Sequence, residues 1–196
     1  MQVLVVLAHP TPGSLNHVIA DRACSALRLA GHDVHLLDLY AEGFRAAMSP
    51  EESAAYQGDE PLRDPMTHAH AEWVRRSNAI VFVYPTWWSG QPAILKGWLE
   101  RVLVPGVGFV FNAEGKVRPG MTHVRSMVGI STYGSPWRYV RVINDNGRRT
   151  LMRTIRLNTG RRTRTKWLAL YAVDTAAAEE REAFLARVER TMRALG

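Results

Sequence analysis

The chain has 196 residues, of which 46% are hydrophobic, and it carries a formal net charge of +7. This length suits one domain, residues 1–196, with a substantial core. A single cysteine, Cys24, excludes an internal disulfide, and no apolar run approaches the ~18 residues that a membrane span requires. We therefore expect a cytoplasmic protein with no integral membrane segment, and Cys24 packed inside a helix.

Basic residues are concentrated in one part of the chain. From Arg148 to Lys166 there are eight basic residues and no acid, whereas the remainder holds 17 basic against 18 acidic residues. This confinement argues against a nucleic-acid-binding protein, and we expect no nucleic-acid partner. The segment itself suits a solvated face, a site for a phosphate-bearing ligand such as NADPH or a flavin diphosphate, or a polyanionic surface.

The N-terminal elements are a strand and a helix. Gln2 to Ala8 is almost wholly apolar, which predicts a buried first strand. Ser14 is a suitable N-cap for an amphipathic helix from about Leu15 to Ala30, with Gly31 as its stop. A helix start after a strand offers free backbone amides, which suit a phosphate. Neither GxGxxG nor GxxxxGKS/T occurs, so Rossmann and Walker nucleotide loops are not predicted.

A second strand and a long connection follow. Asp33 to Leu39 predicts the second strand, and the connection from Tyr40 to Pro65 contains one short helix capped by Ser49. A connection of this length inside a domain is usually functional or part of an interface.

The next helix, from about Met66 to Ser77, carries two histidines. His68 and His70 are two residues apart, so they do not converge on one face of a helix. We expect both side chains to be exposed to solvent. No other group of residues has metal-ligand spacing, and no metal site is predicted.

The central part of the chain reads as strand, loop and helix. Ile80 to Tyr84 is a continuous apolar run that predicts a strand buried on both faces and ending at Pro85. Ala93 to Val102 is an amphipathic helix. Ligands of open α/β sheets lie at the carboxyl ends of the strands, and a loop there with the adjacent Trp87 and Trp88 favours a flat aromatic ligand.

The C-terminal half supplies two more strands. The predicted elements are a fourth strand (Arg125 to Ser131), a loop (Thr132 to Trp137), a long basic helix weakened by Asn144 to Gly147 (Tyr139 to Leu157), a fifth strand (Trp167 to Val173) and a final helix (Ala176 to Ala194). Gly106 to Phe111 is predicted as a loop or short extension.

Five strands that alternate with helices predict an α/β fold with a doubly wound parallel sheet and helices on both faces. We expect the flavodoxin-like strand order 2-1-3-4-5. This order brings three loops together at one edge of the sheet, where such folds hold FMN: His9 to Asn16, Pro85 to Trp88, and Thr132 to Tyr139.

Two motifs carry a resemblance to a known family. The stretches LAHPTPGSLN and YPTWWSGQPAILKGWLERVL resemble the flavodoxin-like NAD(P)H:quinone oxidoreductases, also called DT-diaphorase-like, which include bacterial modulators of drug activity and ancillary flavoproteins of potassium efflux systems. The likeness runs from Val3 to about Tyr139. It implies a homodimeric NAD(P)H dehydrogenase (quinone)-like enzyme that passes two electrons to a flat aromatic acceptor by ping-pong hydride transfer. The implied cofactor is FAD or FMN, with FAD favoured.

The resemblance also implies roles for particular residues. Four match positions that hold the flavin phosphate and adjoining groups: His9, Ser14, Leu15 and Asn16. Eight border the flavin ring: Pro85, Thr86, Trp87, Trp88, Thr132, Tyr133, Gly134 and Tyr139, of which the last aligns with the catalytic tyrosine. Three match the walls of the substrate pocket, the latter two from the partner subunit: Trp88, Phe109 and Phe111. Ordinary helix capping by Ser14, and packing of the tryptophans in a core or interface, are the alternatives.

One position departs from the family. Where these enzymes often carry a histidine, this chain has Asp145. An ionised aspartate cannot donate a proton unless its surroundings raise its pKa. We therefore expect Tyr139, aided by Arg138 or Arg141, to carry proton handling, and Asp145 to be a turn residue.

Two other functions are consistent with a flavin-binding chain. One is a regulatory or ancillary subunit of a potassium efflux transporter, which would add a transporter partner. The other is a one-electron flavodoxin carrier, which the basic character of this chain disfavours because such carriers are expected to be strongly acidic.

Overall fold

The computed structural model describes all of residues 1–196. Seven strands and seven α-helices occur in the following order, together with a π-helical segment over Thr150–Ile155: β1 (Gln2–Leu7), α1 (Leu15–Leu29), β2 (Asp33–Asp38), α2 (Pro50–Ala55), α3 (Pro65–Arg76), β3 (Ala79–Thr86), α4 (Ala93–Val102), β4 (Phe109–Phe111), β5 (Val117–Pro119), β6 (Ser126–Tyr133), α5 (Trp137–Val142), α6 (Asn146–Arg149), β7 (Arg164–Leu170) and α7 (Ala178–Arg193).

Five strands form one parallel sheet in the order β2-β1-β3-β6-β7. Since β6 and β7 are its fourth and fifth strands along the chain, the predicted flavodoxin-like order is confirmed. Two apolar clusters cover the sheet, one packed against α1 and α7 and the other against α3 and α4. Cys24 is buried in the first of these, as expected for a packed thiol.

The two central strands extend further than the sequence predicts. β3 continues through Pro85 to Thr86, and β6 includes Thr132 and Tyr133, which pair with these two residues. The prediction that β3 ends at Pro85 and that a loop starts at Thr132 is therefore wrong. Proline has the φ of extended backbone and removes only one hydrogen-bond donor, so it weakens the strand without ending it.

The predicted long helix from Tyr139 to Leu157 is also wrong, because the chain breaks there into α5, α6 and the π-helical segment. Asn144 and Asp145 have φ values of 75° and 40°, a left-handed conformation that no right-handed helix contains. The fifth strand of the sheet begins at Arg164 rather than at Trp167, since its first three residues are exposed and polar and give no apolar signal.

The connection from Tyr40 to Pro65 is held against α4 by a buried ion-pair network. Arg101 of α4 is 2% exposed and donates hydrogen bonds to Glu52 Oε1 at 2.6 Å and Asp64 Oδ2 at 2.8 Å. It also donates to the carbonyl oxygen of Arg45. A buried guanidinium requires such partners, so this network determines the path of the whole connection.

The two histidines of α3 have different surroundings. His68 is exposed as predicted, whereas His70 is 2% exposed and its predicted exposure is wrong. His70 Nδ1 accepts from the Trp98 indole at 3.2 Å, so Nε2 carries the proton that binds Glu42 Oε2 at 2.8 Å. No helix in the structure combines the length and apolarity needed to cross a membrane.

The segment predicted as a loop or extension around Phe109 forms β4, which pairs in antiparallel fashion with β5. This two-stranded ribbon lies between α4 and the amino end of β6 in the chain. Phe109 and Phe111 are in edge-to-face contact, with ring centroids 5.7 Å apart.

Candidate functional site

A cavity of about 670 Å³ lies at the carboxyl ends of β3 and β6. We call it the first cavity, and its lining residues are Pro85, Thr86, Trp87, Trp88, Ser89, Thr132, Tyr133, Gly134, Ser135, Tyr139, Val140, Ile143, Asp145, Val173 and Asp174. All eight residues predicted to border a flat ring are among them. Phe109, Phe111 and the four residues predicted to hold the flavin phosphate, which lie in the β1–α1 loop and the first turn of α1, are not.

The β1–α1 loop adjoins the wall of the first cavity. Asn16 is buried, and its Nδ2 donates to Thr132 Oγ1 at 3.1 Å, while its Oδ1 is buried without any partner. The ring of His9 lies 6.2 Å from that of Trp87. Two wall residues of the first cavity therefore contact the loop, and Asn16 retains an acceptor that the chain does not satisfy.

Ser14 acts as the N-cap of α1. Its Oγ accepts from the His17 N–H at 3.4 Å and lies 2.9 Å from His17 Nδ1. The backbone N–H groups of Leu15 and Asn16 make no hydrogen bond within the chain. These two donors, at the positive end of a 15-residue helix, are suited to an anionic group.

The β3–α4 loop begins with a tight turn from Trp87 to Gly90. The two end residues exchange hydrogen bonds of 3.2 and 3.0 Å, and Trp88 and Ser89 both have positive φ, at 47° and 61°. This is the geometry of a type I′ turn, which normally selects asparagine and glycine. A fully exposed tryptophan held in left-handed backbone at a cavity edge is a strained feature of the kind that marks functional sites.

The start of α6 braces this turn. The Gly147 N–H donates to the Ser89 carbonyl at 3.1 Å, and Gln91 Nε2 donates to the Gly147 carbonyl at 2.9 Å. A Cβ at position 147 would lie 3.3 Å from the carbonyl carbon of Gly90. The close approach that glycine permits therefore couples two segments that are far apart in the sequence.

Asp145 lies in the wall of the first cavity rather than only in a turn. It caps α6 in left-handed backbone, is 9% exposed, and accepts from the Tyr133 hydroxyl with both carboxylate oxygens at 3.1 Å. Burial raises the pKa of Asp145, although the Arg148 N–H, the Tyr133 hydroxyl and the Arg148 charge oppose the shift. Burial and the nearby carboxylate also raise the pKa of Tyr133.

Sequence reasoning missed this Tyr133–Asp145 pair. The two residues are 12 positions apart, and a helix and a left-handed turn separate them. Neither hydrophobic periodicity nor a sequence motif predicts a hydrogen bond between these two side chains. The one available signal was the departure from the family at Asp145.

Tyr139 is the accessible phenol of the first cavity. Its side chain is 55% exposed, and its hydroxyl makes no hydrogen bond within the chain, whereas the hydroxyl of Tyr133 is bound to Asp145. Tyr139 is thus free to donate to a ligand.

The first cavity has a distinctive charge. Asp145 and Asp174 are its only charged lining residues, and neither lysine nor arginine contributes to it. A Cβ on Gly134, which also lines the first cavity, would lie 3.0 Å from Asp174 Oδ2, so a larger residue there would crowd this carboxylate. Aromatic walls and few charges suit a flat, largely neutral ring system. No group of three or more histidine, cysteine, aspartate or glutamate side chains is placed to hold a metal.

Comparisons with known proteins give consistent results. A family model described as "Flavodoxin-like fold" matches residues 1–195. NAD(P)H dehydrogenase (quinone) 1 of Rattus norvegicus is 31% identical over 149 residues, which cover 68% of this chain and 54% of the rat protein. An uncharacterized NAD(P)H oxidoreductase of Haemophilus influenzae is 34% identical over 137 residues, which cover 69% of this chain and 65% of that protein. The chain therefore spans between about half and two-thirds of the length of these curated relatives.

Among solved structures, the NAD(P)H:quinone oxidoreductase from Methanothermobacter marburgensis superposes with a TM-score of 0.83 at 25% sequence identity. The superposition covers 100% of this chain and 99% of that chain. The similarity therefore extends over the whole fold, including the carboxyl edge of the sheet.

The buried carboxyl of Asp145 makes stability depend on pH. Because its pKa is raised in the folded protein, the carboxyl favours folding when protonated, and this contribution is lost as the pH rises from about 4 through the raised pKa. Asp145→Asn keeps an acceptor for Tyr133 and tolerates left-handed backbone. The melting temperature of this variant, relative to the parent, should therefore increase between pH 4 and pH 8.

The control is Asp59→Asn, at an exposed carboxyl, for which the difference in melting temperature should stay constant over this range. A relative stability of Asp145→Asn that falls with rising pH would mean that the ionised carboxylate stabilises the fold.

Proposed function

The chain belongs to the family of flavodoxin-like fold whose model matches residues 1–195, and from this membership we propose that it is a flavin-dependent NAD(P)H oxidoreductase acting on quinones or similar flat aromatic acceptors. The observation that carries the proposal is the first cavity, which has aromatic walls, no basic side chain and a position at the carboxyl ends of the two central strands. Ligands of open α/β sheets bind at this edge.

The donors and acceptors around the first cavity fit a flavin. The free N–H groups of Leu15 and Asn16 suit its phosphate, and the unpartnered Asn16 Oδ1 suits a hydroxyl of the ribityl chain. Trp87 and Trp88 would border the ring on one side, and Gly134 on the other. We propose FAD as the cofactor, because the family resemblance favours it over FMN.

When bound, a flavin supplies the hydride chemistry, and the protein supplies position and charge. Tyr139, which lines the first cavity and has no hydrogen-bond partner for its hydroxyl within the chain, would donate a hydrogen bond to negative charge that develops during turnover. The first cavity has the aromatic walls that suit both a nicotinamide and a flat acceptor, so reductant and acceptor would occupy it in turn. That arrangement supports ping-pong turnover.

Flavin binding tests the central proposal. Purified protein reconstituted with FAD or FMN should bind one flavin per chain, detected by absorbance and by mass of the released cofactor. Asn16→Ala removes the buried amide and should weaken flavin binding about tenfold. Asn158→Ala, which also removes an amide that donates one hydrogen bond, should not, because that bond goes to Thr154 outside the site. A folded protein that takes up neither flavin would refute the proposal.

The role of Tyr139 is tested by removing its hydroxyl. Tyr139→Phe should slow flavin reduction by NAD(P)H in stopped-flow measurements by ~10²-fold, since a positioned donor is lost, and should leave the flavin dissociation constant nearly unchanged. Asp145→Asn, which keeps the Tyr133 contact, should change the rate little. The reverse ranking of the two variants would assign the role to Asp145.

We also propose a homodimer in which the β4–β5 ribbon of one subunit completes the site of the other. Phe111 and Val117 on the ribbon are 48% and 55% exposed, so the ribbon presents an apolar surface that a single chain does not cover. Phe109 and Phe111 would then form a wall of the partner's substrate pocket. A site shared between two subunits agrees with the absence of both phenylalanines from the lining of the first cavity of their own chain.

Oligomeric state tests this arrangement. Light scattering should give a dimer at micromolar concentration, and Phe111→Glu should shift it towards monomer and raise KM for the acceptor. Leu29→Glu, which places the same charge at an exposed apolar residue at the end of α1, should do neither. A flavin-loaded parent protein that is monomeric at this concentration would contradict the proposal.

A further inference from the structure

A second cavity, of about 520 Å³, lies behind the first. Its lining comes from α5, α6, the turn between them, the π-helical segment and Tyr171 just after β7, and it shares Val140 and Asp145 with the first cavity. The rings of Tyr133 and Tyr171 stack at 4.9 Å, with Tyr133 lining the first cavity and Tyr171 the second. The two cavities are therefore separated by a thin wall of side chains.

Four arginines line the second cavity, namely Arg141, Arg148, Arg149 and Arg153. None of them forms an ion pair, and none donates a side-chain hydrogen bond within the chain, although Arg22, Arg101 and others elsewhere do. The one acid in the lining is Asp145, whose carboxylate accepts from Tyr133 and from the Arg148 N–H. The second cavity thus carries uncompensated positive charge on a concave surface, which concentrates anions.

The first cavity lacks the positive charge that the phosphates of a nicotinamide dinucleotide require, and the second cavity could supply it. NADH and NADPH carry several phosphate charges, yet the first cavity offers two carboxylates and no cation. A dinucleotide whose nicotinamide lies in the first cavity needs its phosphates neutralised close by. The second cavity, across the wall of Val140 and Asp145, supplies four guanidinium groups, whose planar forks match phosphate oxygens.

The shape of the second cavity favours a nucleotide over a polymer. Its volume is within the range of small-molecule sites, and Trp137, half exposed at its edge, provides a ring on which an adenine can stack. A nucleic acid or a membrane surface would instead require an extended basic face. On the basic segment, Arg156 and Arg164 are engaged with carbonyl oxygens of the chain, and they do not line the second cavity.

We propose that the second cavity binds the phosphoadenosine end of the reductant and selects NADPH over NADH through its 2′-phosphate, an inference that rests on the proposed oxidoreductase function. Arg149, half-buried at the end of α6, and Arg153, on the π-helical segment, lie about one turn apart, and we assign the 2′-phosphate to this pair. Arg141 and Arg148 complete it on the side of the wall.

The direct test is calorimetric titration with 2′,5′-ADP, which carries the adenosine and 2′-phosphate of NADPH without the nicotinamide. The flavin-loaded protein should bind it at least tenfold more tightly than 5′-AMP, because charged hydrogen bonds to the extra phosphate are gained. Arg149→Gln with Arg153→Gln should weaken 2′,5′-ADP binding at least tenfold. Arg161→Gln with Arg162→Gln removes the same charge from the same basic segment outside the cavity and should change affinity less than twofold.

Three titration results would overturn the proposal. Equal losses in the two double variants would mean diffuse attraction, and equal affinity for 2′,5′-ADP and 5′-AMP would show that the 2′-phosphate is not recognised. If both nucleotides bind no more tightly than inorganic phosphate, the second cavity binds anions without recognising a nucleotide. If the glutamine pair does not fold by circular dichroism, Arg149→Lys with Arg153→Lys decides, because lysine keeps the charge but loses the bidentate contacts and should still weaken binding.

Steady-state kinetics separate reductant from acceptor. In the glutamine pair KM for NADPH should rise at least tenfold, KM for NADH should rise by a smaller factor because NADH lacks the 2′-phosphate, and KM for a neutral naphthoquinone should change little. A rise confined to KM for a sulfonated naphthoquinone would instead assign the second cavity to anionic acceptors and overturn the proposal. If no flavin binds, the oxidoreductase function fails, but titration of 2′,5′-ADP into the apoprotein still tests the second cavity on its own.

Discussion

The parallel pairing of β3 with β6 is the constraint on which the site depends. The two strands pair over eight residues each, from Ala79 with Ser126 to Thr86 with Tyr133, and a hydrogen bond of 2.8 Å joins the Thr86 and Ser131 hydroxyls near the end. The pairing of β1 with β3 stops at Val83, so the last residues of the central strands project beyond their neighbour. The projecting strand ends line the first cavity, and the loops that follow them lie next to each other in its wall.

The features that could be predicted from the sequence are those set by neighbouring residues, such as helix caps and buried strands, and by the general topology of α/β sheets. The capping residues Ser14 and Ser49 start their helices as predicted, since a cap involves only neighbouring residues. The apolar strand interiors and their alternation with helices predicted a parallel, doubly wound sheet, and its order was expected from the flavodoxin-like topology. Strand ends were less predictable, because Pro85 weakens pairing locally while the neighbouring β6 keeps the backbone extended. Helix breaks at Asn144 depend on left-handed backbone, for which composition gives only a weak signal.

The convergence of loops at one edge was predictable, but the contacts that fix their shape were not. Ser89 and Gly147 are 58 positions apart, and their backbone hydrogen bond joins two turns in which Trp88 and Asp145 have positive φ, a conformation that non-glycine residues rarely adopt. Each turn is unfavourable alone, and the contact between them stabilises both. Sequence patterns reflect the preferred conformations of residues, so they do not predict two turns held in rare backbone conformations. Such conformations are concentrated at functional sites, which favours a functional role for this pair of turns.

The distribution of charge in space differs from its distribution in the sequence. The basic segment from Arg148 to Lys166 looks uniform, yet Arg156 binds the carbonyls of Thr163 and Arg161, and Arg164 binds that of Gly196. These arginines hold the chain together, whereas Arg149 and Arg153 are left without partners beside a cavity. Arginines that already bind acceptors of the protein are stabilised without a ligand. Arginines without such acceptors are stabilised more by a bound anion. The fold therefore divides one basic run into structural cations and cations available to a ligand, a division that no count of charges along the chain reveals.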